Sequence, residues 1–96
     1  MGGRTMVSSK VVVNNPTGIH LRPAGLLCQL ALEFNSKIDI KFNETTANAK
    51  SVLSVLGACV KTGDEIEIVC EGEDEEEALR TIVKAIEDGL GEESIL

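Results

Sequence analysis

Along this chain the spacing of apolar residues switches repeatedly between two and about 3.6, and that switching constrains the fold more than any single motif. Residues 7–13, β-branched apart from Ser8, Ser9 and Lys10, read as a first strand. Asn14-Asn15-Pro16-Thr17-Gly18 is dense in turn formers. Ala24, Leu27, Cys28, Ala31 and Leu32 then recur at helical spacing, and Leu26, Leu30 and Phe34 widen the stripe. Pro23 suits a first helical turn, where its missing N–H breaks no internal bond. The helix is therefore expected to begin close to His20 and Leu21 and to end at Asn35-Ser36.

The period then returns to two over residues 37–42, with Ile38, Ile40 and Phe42 on one face. Asn43-Glu44 makes a turn, and residues 45–49 form a short, weak strand. Ser51 opens a short helix with Val52, Leu53, Val55, Leu56 and Cys59, ending near Gly57 or soon after. After the Gly63-Asp64 turn, residues 65–70 form the last strand, with Ile66, Ile68 and Cys70 inward. A final helix over 75–88 buries Ala78, Ile82, Ala85 and Ile86, flanked by Leu79 and Val83, and stops at Gly89. The order βαββαβα, with strands polar on one side, implies an open-faced α/β sandwich of the α+β kind, its sheet wet on one face. One domain over 7–90 is expected, between a disordered extension (1–6) and a flexible tail (91–96).

With 96 residues and only 2 aromatics, the core must be thin. A cleft that encloses a substrate is hard to build from so little, so any chemistry belongs on the surface. The net charge of −7 is uneven. Residues 1–50 carry six Lys or Arg against three acids, and residues 51–96 three against thirteen. No cationic cluster suits a phosphate backbone, so no nucleic-acid partner is expected. The acidic excess reads either as a solvated face or as a foil for the basic stretch around His20 and Arg22. Cys28, Cys59 and Cys70, an odd number without a CxxC, fit a reducing compartment and argue against a disulfide scaffold or thiolate zinc site. No run is long enough to cross a membrane and no signal peptide opens the chain, so membrane insertion is not expected and the cytoplasm is the default location.

Chemistry concentrates in Gly18-Ile19-His20-Leu21-Arg22-Pro23-Ala24. The only histidine lies between a glycine turn and a proline at a helix start, where free N–H groups and the helix dipole attract anions. A phosphoryl group on the imidazole could rest against those donors, and Arg22 supplies a charged fork for its oxygens. Imidazole suits the task because one ring nitrogen is nucleophilic near neutral pH while the other is held by a hydrogen bond. By residue type alone, His20 could equally be an exposed loop histidine without a role. One histidine cannot assemble a metal site, no orienting acid completes a triad with Cys28, and no nucleotide-binding glycine loop is present. No metal or cofactor is expected.

These residues resemble the active-site signature of HPr, the histidine-containing phosphocarrier family of the bacterial sugar phosphotransferase system. Residues 17–24 look like that signature, residues 48–56 resemble the family's regulatory-serine motif, and residues 73–78 resemble the acidic opening of its last helix. The resemblance implies an open-faced sandwich of four antiparallel strands covered by three helices. It implies that His20 is phosphorylated on Nδ1 by Enzyme I, which draws on phosphoenolpyruvate, and passes the group to a sugar-specific Enzyme II component. Arg22 would stabilise the phosphate, with Gly18, Pro23 and Ala24 supporting the helix start and Thr17 beside the partner surface. Ser51 matches the serine modified by an ATP-dependent HPr kinase/phosphorylase, whose product binds a catabolite-control regulator; as a residue, Ser51 is also an ordinary N-cap. Val52, Leu53 and Leu56 match the family's hydrophobic contact patch, although a short helix must also bury one stripe. A monomer is expected.

Several positions depart from the family pattern. Leu21 stands where a small or polar residue is common, Gly25 where Ser, Thr or Ala is frequent, and Gly57-Ala58-Cys59 where Ser-Leu-Gly is familiar. Gln29 and Leu32 lack the positive charges some members carry. These departures bear on partner identity, including a relay for nitrogen regulation in place of bulk sugar uptake. The rival reading is a regulatory binding protein on the same scaffold, which the presence of His20 and Arg22 disfavours. An enzyme with its own pocket ranks below both, because acids and nucleophiles do not converge.

Overall fold

The structure, a computed structural model, describes residues 6–91. The proposed extension and tail, apart from Met6 and Gly91, lie outside the described residues. The elements follow in the order β1 (Val7–Val12), α1 (Leu21–Ala31), β2 (Lys37–Phe42), β3 (Thr45–Asn48), α2 (Val52–Gly57), β4 (Glu65–Glu71) and α3 (Glu75–Glu87). The strands form one antiparallel sheet in the order β1-β4-β2-β3, so the last strand in sequence lies between the first two. This is the open-faced sandwich expected from the periodicity.

Alternation sorts the two faces. Val11, Ile38, Ile40, Ala47, Ile66, Ile68 and Cys70 are buried with Ala24, Leu27 and Ala31 of α1 and Ala78, Ile82 and Ile86 of α3. Side chains of the opposite parity face water. Register there places Glu67 opposite Lys10 on one neighbour and Lys41 on the other, a favourable row of alternating charge.

The first helix ends earlier than its apolar stripe suggests. It closes at Ala31, and Glu33 and Phe34 donate to the carbonyls of Leu30 and Ala31 at 3.1 and 3.2 Å, three residues back. That tightening turns Leu32 outward, where it is 61% exposed, so Leu32 is not part of the core stripe. Two ties hold the tightened end. Lys50 Nζ donates to the Phe34 carbonyl at 2.7 Å, and the Asp74 carboxylate accepts from the amides of Asn35 and Ser36, both at 2.9 Å, and from Ser36 Oγ at 2.5 Å. Asp74 thus spends its carboxylate on a neighbouring turn instead of on α3, whose start is closed by Glu75 Oε1 accepting the Gly72 amide at 3.0 Å.

The second helix ends at Gly57, and Cys59 lies beyond it, exposed and with φ of 57°. Cys59 therefore does not join the apolar stripe of α2; only Val55 of that helix is fully buried. At the end of α3 the amides of Gly89 and Leu90 reach back to the carbonyls of Ile86 and Ala85, at 3.1 and 2.9 Å, the bond pattern of a Schellman motif.

Candidate functional site

The loop from β1 to α1 is held from three sides. Val13 exchanges backbone hydrogen bonds with the Gly63-Asp64 turn, its amide donating to Asp64 at 2.9 Å and its carbonyl accepting from Gly63 at 2.7 Å. Asn14 Nδ2 donates to the Glu87 carbonyl at 3.1 Å, tying the loop to the C-terminal end of α3. Inside the loop, the Gly18 amide donates to the Asn15 carbonyl at 3.1 Å, while buried Asn15 returns its side-chain Nδ2 to the Gly18 carbonyl. Thr17 Oγ1 approaches that carbonyl at 3.5 Å. The Ile19 amide donates to Val60 at 3.0 Å, and the Ile19 side chain is buried.

Gly18 is required at its position. Its φ is +68°, and a Cβ there would fall 2.8 Å from both Lys61 Cα and the Val60 oxygen. The close crossing of these two backbones sets where His20 emerges.

His20 is the N-cap of α1, with extended backbone angles, and its carbonyl accepts the first helical bond from Ala24 at 2.8 Å. Its side chain makes no capping hydrogen bond and is exposed. Among the described residues, no side-chain hydrogen bond or ion pair claims the ring. Leu21 and Arg22, the next two residues, have amides that the helix cannot satisfy, and Pro23 has none to offer. No acidic residue lies in the first turn of α1, so nothing there neutralises the positive end of the helix. Arg22 is exposed and forms no ion pair among the described residues, whereas Pro23 and Ala24 are buried and anchor the helix head. The arrangement can receive a tetrahedral anion on or beside the imidazole, in water, with two amides and a guanidinium at hand.

Residues 7–88 match the sequence profile of the family described as "PTS HPr component phosphorylation site". The chain belongs to the HPr family. It is 40% identical over 88 residues to the phosphocarrier protein HPr of Treponema pallidum (strain Nichols), covering 92% of this chain and all of the relative. It is 36% identical over 83 residues to the HPr-like protein Crh of Bacillus subtilis (strain 168), covering 86% of this chain and 98% of that one. Its fold superimposes on the crystal structure of HPr-C-His from Thermoanaerobacter tengcongensis with a TM-score of 0.88 at 36% identity, over 92% of this chain and 99% of the other. The protein is thus a phosphocarrier of the phosphotransferase system.

In this HPr family member the second motif lies against the first. Ser51 is the N-cap of α2, its Oγ accepting from the Ser54 amide at 3.2 Å. Ser54 Oγ in turn accepts the Asn48 amide at 2.9 Å. Val52 shares one groove with Leu21, Arg22, Leu26 and Gln29 of α1 and with Leu90, so the heads of the two helices present a common surface. The apolar patch expected from Val52, Leu53 and Leu56 divides. Leu53 is 82% exposed, whereas Val52 and Leu56 are half-buried against the core. Leu21, 68% exposed, adds an apolar side chain to that surface.

Sequence reasoning missed the loop's supports. Asn14, Asn15 and the Val60-Lys61 segment hold the His20 turn, yet Asn14 and Asn15 read only as turn formers and the other partners lie more than forty positions away. No local pattern announces such contacts. Cys28 is buried as expected, its Sγ donating to the Lys50 carbonyl at 3.2 Å, and takes no part in the site. No helix among the described residues is long and apolar enough to cross a membrane, and these residues hold no cluster of metal-binding side chains.

Proposed function

We propose that His20 is the phosphoryl acceptor: its Nδ1 takes the group from phosphorylated Enzyme I and yields it to Enzyme II components during sugar uptake. The observation that carries this reading is the exposed imidazole at the head of α1, beside two amides the helix cannot satisfy and beside Arg22, which has no ion-pair partner among the described residues. Arg22 holds the phosphoryl oxygens, Gly18, Pro23 and Ala24 support the helix start, and Thr17 belongs to the partner surface. Each favourable contact at such an exposed helix head is worth about 1 kcal/mol, enough to hold the group without trapping it. The carrier acts as a cytoplasmic monomer without a cofactor; the free thiols of Cys28, Cys59 and Cys70 are in keeping with a reducing compartment.

The test is incubation with phosphoenolpyruvate and Enzyme I, followed by mass measurement after acid and after alkali. An acid-labile, alkali-stable adduct that His20→Ala lacks is the expected result. A wild-type chain that takes up no phosphate from any suitable Enzyme I refutes it.

Ser51 adds regulation. A phosphate on its Oγ would stand at the start of a short helix and place about two negative charges beside exposed Leu53, changing which partner the surface accepts. HPr kinase/phosphorylase would install it, and a catabolite-control regulator would read it. Incubation with ATP and the active kinase should give an acid-stable phosphate that is absent from Ser51→Ala; an unmodified wild type removes this part of the proposal.

A further inference from the structure

We propose that Lys61, on the loop between α2 and β4, is a second cationic arm of the His20 site and steers an acidic, phosphorylated donor onto the imidazole. This rests on His20 being the phosphoryl acceptor. The sequence gives no hint of it, because Lys61 lies 41 positions from His20 and outside every motif.

The backbone contact is direct. A Cβ on Gly18 would meet Lys61 Cα at 2.8 Å, and the next amide along, that of Ile19, is bonded to the carbonyl of Val60 at 3.0 Å. Two residues of chain from Gly18 to His20 span at most about 7 Å, and an extended lysine side chain about 6 Å. Lys61 is thus anchored beside the turn that presents His20, and its exposed side chain brings a positive charge to that end of the molecule.

The loop that carries it is well held. The Lys61 amide donates to Asp64 Oδ2 at 2.8 Å, the Asp64 amide donates back to the Lys61 carbonyl at 3.0 Å, and Asp64 and Gly63 are bonded to Val13. Asp64 thus gives its carboxylate to the backbone of Lys61, and the exposed ammonium forms no ion pair among the described residues. Arg22 and Lys61 stand on two separate segments at this end of the molecule, neither with an ion-pair partner among the described residues.

The rest of the charge distribution favours the same approach. Asn14 fixes the C-terminal end of α3 at the site loop, so its acidic start, Glu73 to Glu77, lies about 20 Å away along a thirteen-residue helix. Among the described residues at the C-terminal end of α3, Asp88 lies 3.6 Å from Lys84 and Glu87 is exposed, and on the Lys61 loop the Asp64 carboxylate is turned to the backbone amide of Lys61. A partner that is itself acidic and carries a phosphoryl group is repelled by the far pole and drawn to the His20 end.

The test measures phosphoryl transfer from phosphorylated Enzyme I for wild type, Lys61→Gln, Lys61→Arg and Lys41→Gln, at low and high salt. Lys41→Gln removes the same charge from the open face of the sheet. At low ionic strength Lys61→Gln should lower kcat/KM about 3- to 10-fold through KM, with kcat unchanged. The deficit should vanish at high salt, Lys61→Arg should restore the wild-type rate, and Lys41→Gln should match wild type. Equal rates for Lys61→Gln and wild type at low salt, a loss that persists at high salt, or an equal loss in Lys41→Gln each overturn the assignment while leaving His20 as the acceptor. A wild type that is never phosphorylated removes the underlying reading and this one with it.

Discussion

Replacing Gly18 by alanine tests whether the crossing of two backbones positions His20. Two costs arise. An alanine at φ of +68° costs about 1–2 kcal/mol relative to an allowed conformation. The new methyl would also lie 2.8 Å from Lys61 Cα and from the Val60 oxygen, well inside the ~3.5–4.0 Å of an ordinary contact. Both obstacles are backbone, so relief must move the segment that also accepts the Ile19 amide, an overpacking cost of about 1–3 kcal/mol. Together these give about 2–5 kcal/mol, a fall in melting temperature of at least about 8 °C for a domain of this size.

Two other glycines serve as controls. Gly63 has φ of +91° but nothing within 4 Å of its Cβ position, so Gly63→Ala carries only the conformational cost. Gly25 lies inside α1 with equally open surroundings, and Gly25→Ala should stabilise by about 0.5–1 kcal/mol. Urea unfolding followed by circular dichroism ranks the three, and phosphorylation of His20 reads the site. Gly18→Ala should be the least stable and the slowest to accept phosphate. If it is no less stable than Gly63→Ala, the close approach carries no energy and the argument for how the turn is held fails.

The Asp74 clamp should show in acid. Hydrogen bonds from Ser36 Oγ and the Asn35 and Ser36 amides hold its carboxyl below the usual 3.8, so its stabilisation is complete above that value and disappears as pH falls through the lower, folded one. Asp74→Asn should therefore be less stable than wild type at pH 7, with the gap closing below about pH 4; a gap unchanged down to pH 2 contradicts an ionic clamp. Among the thiols, exposed Cys59 should react with a disulfide reagent in the native protein at pH 8, while Cys28 and Cys70 wait for unfolding. Burial, followed by the nearby carboxylates of Glu75, Asp74 and Asp39, pushes the Cys70 thiol up to about 11, and a fast reaction there would show the core to be open. Ser51→Ala should cost about 1 kcal/mol through loss of the cap on α2, read by thermal unfolding, and an unchanged melting temperature would show that the bond to the Ser54 amide is not stabilising.

Much of this molecule follows from short-range rules that a sequence displays openly. Alternation in residues 37–42 sends Ile38 and Ile40 to one face whatever the neighbouring strand is, because successive side chains of any strand point to opposite faces. Pro23 at a helix head, Ser51 at another and the apolar stripe of α3 are equally local, and the fold class, the seven elements and the prominence of His20 came from them. Helix ends were less legible: α1 stops at Ala31 because the Asp74 carboxylate and Lys50 ammonium, distant in sequence, claim the groups beyond it.

Tertiary structure alone decided the rest. Insertion of β4 between β1 and β2 pairs residues as distant in sequence as Val7 and Cys70, and periodicity carries no information about partners. It also decided that Leu53 is free while Val52 and Leu56 pack, and that Lys61 passes within contact distance of Gly18. The physical reason is one of range. Periodicity and capping depend on residues within a turn of each other, whereas a surface that holds a transferred anion is assembled by chain segments that meet only after the sheet has formed.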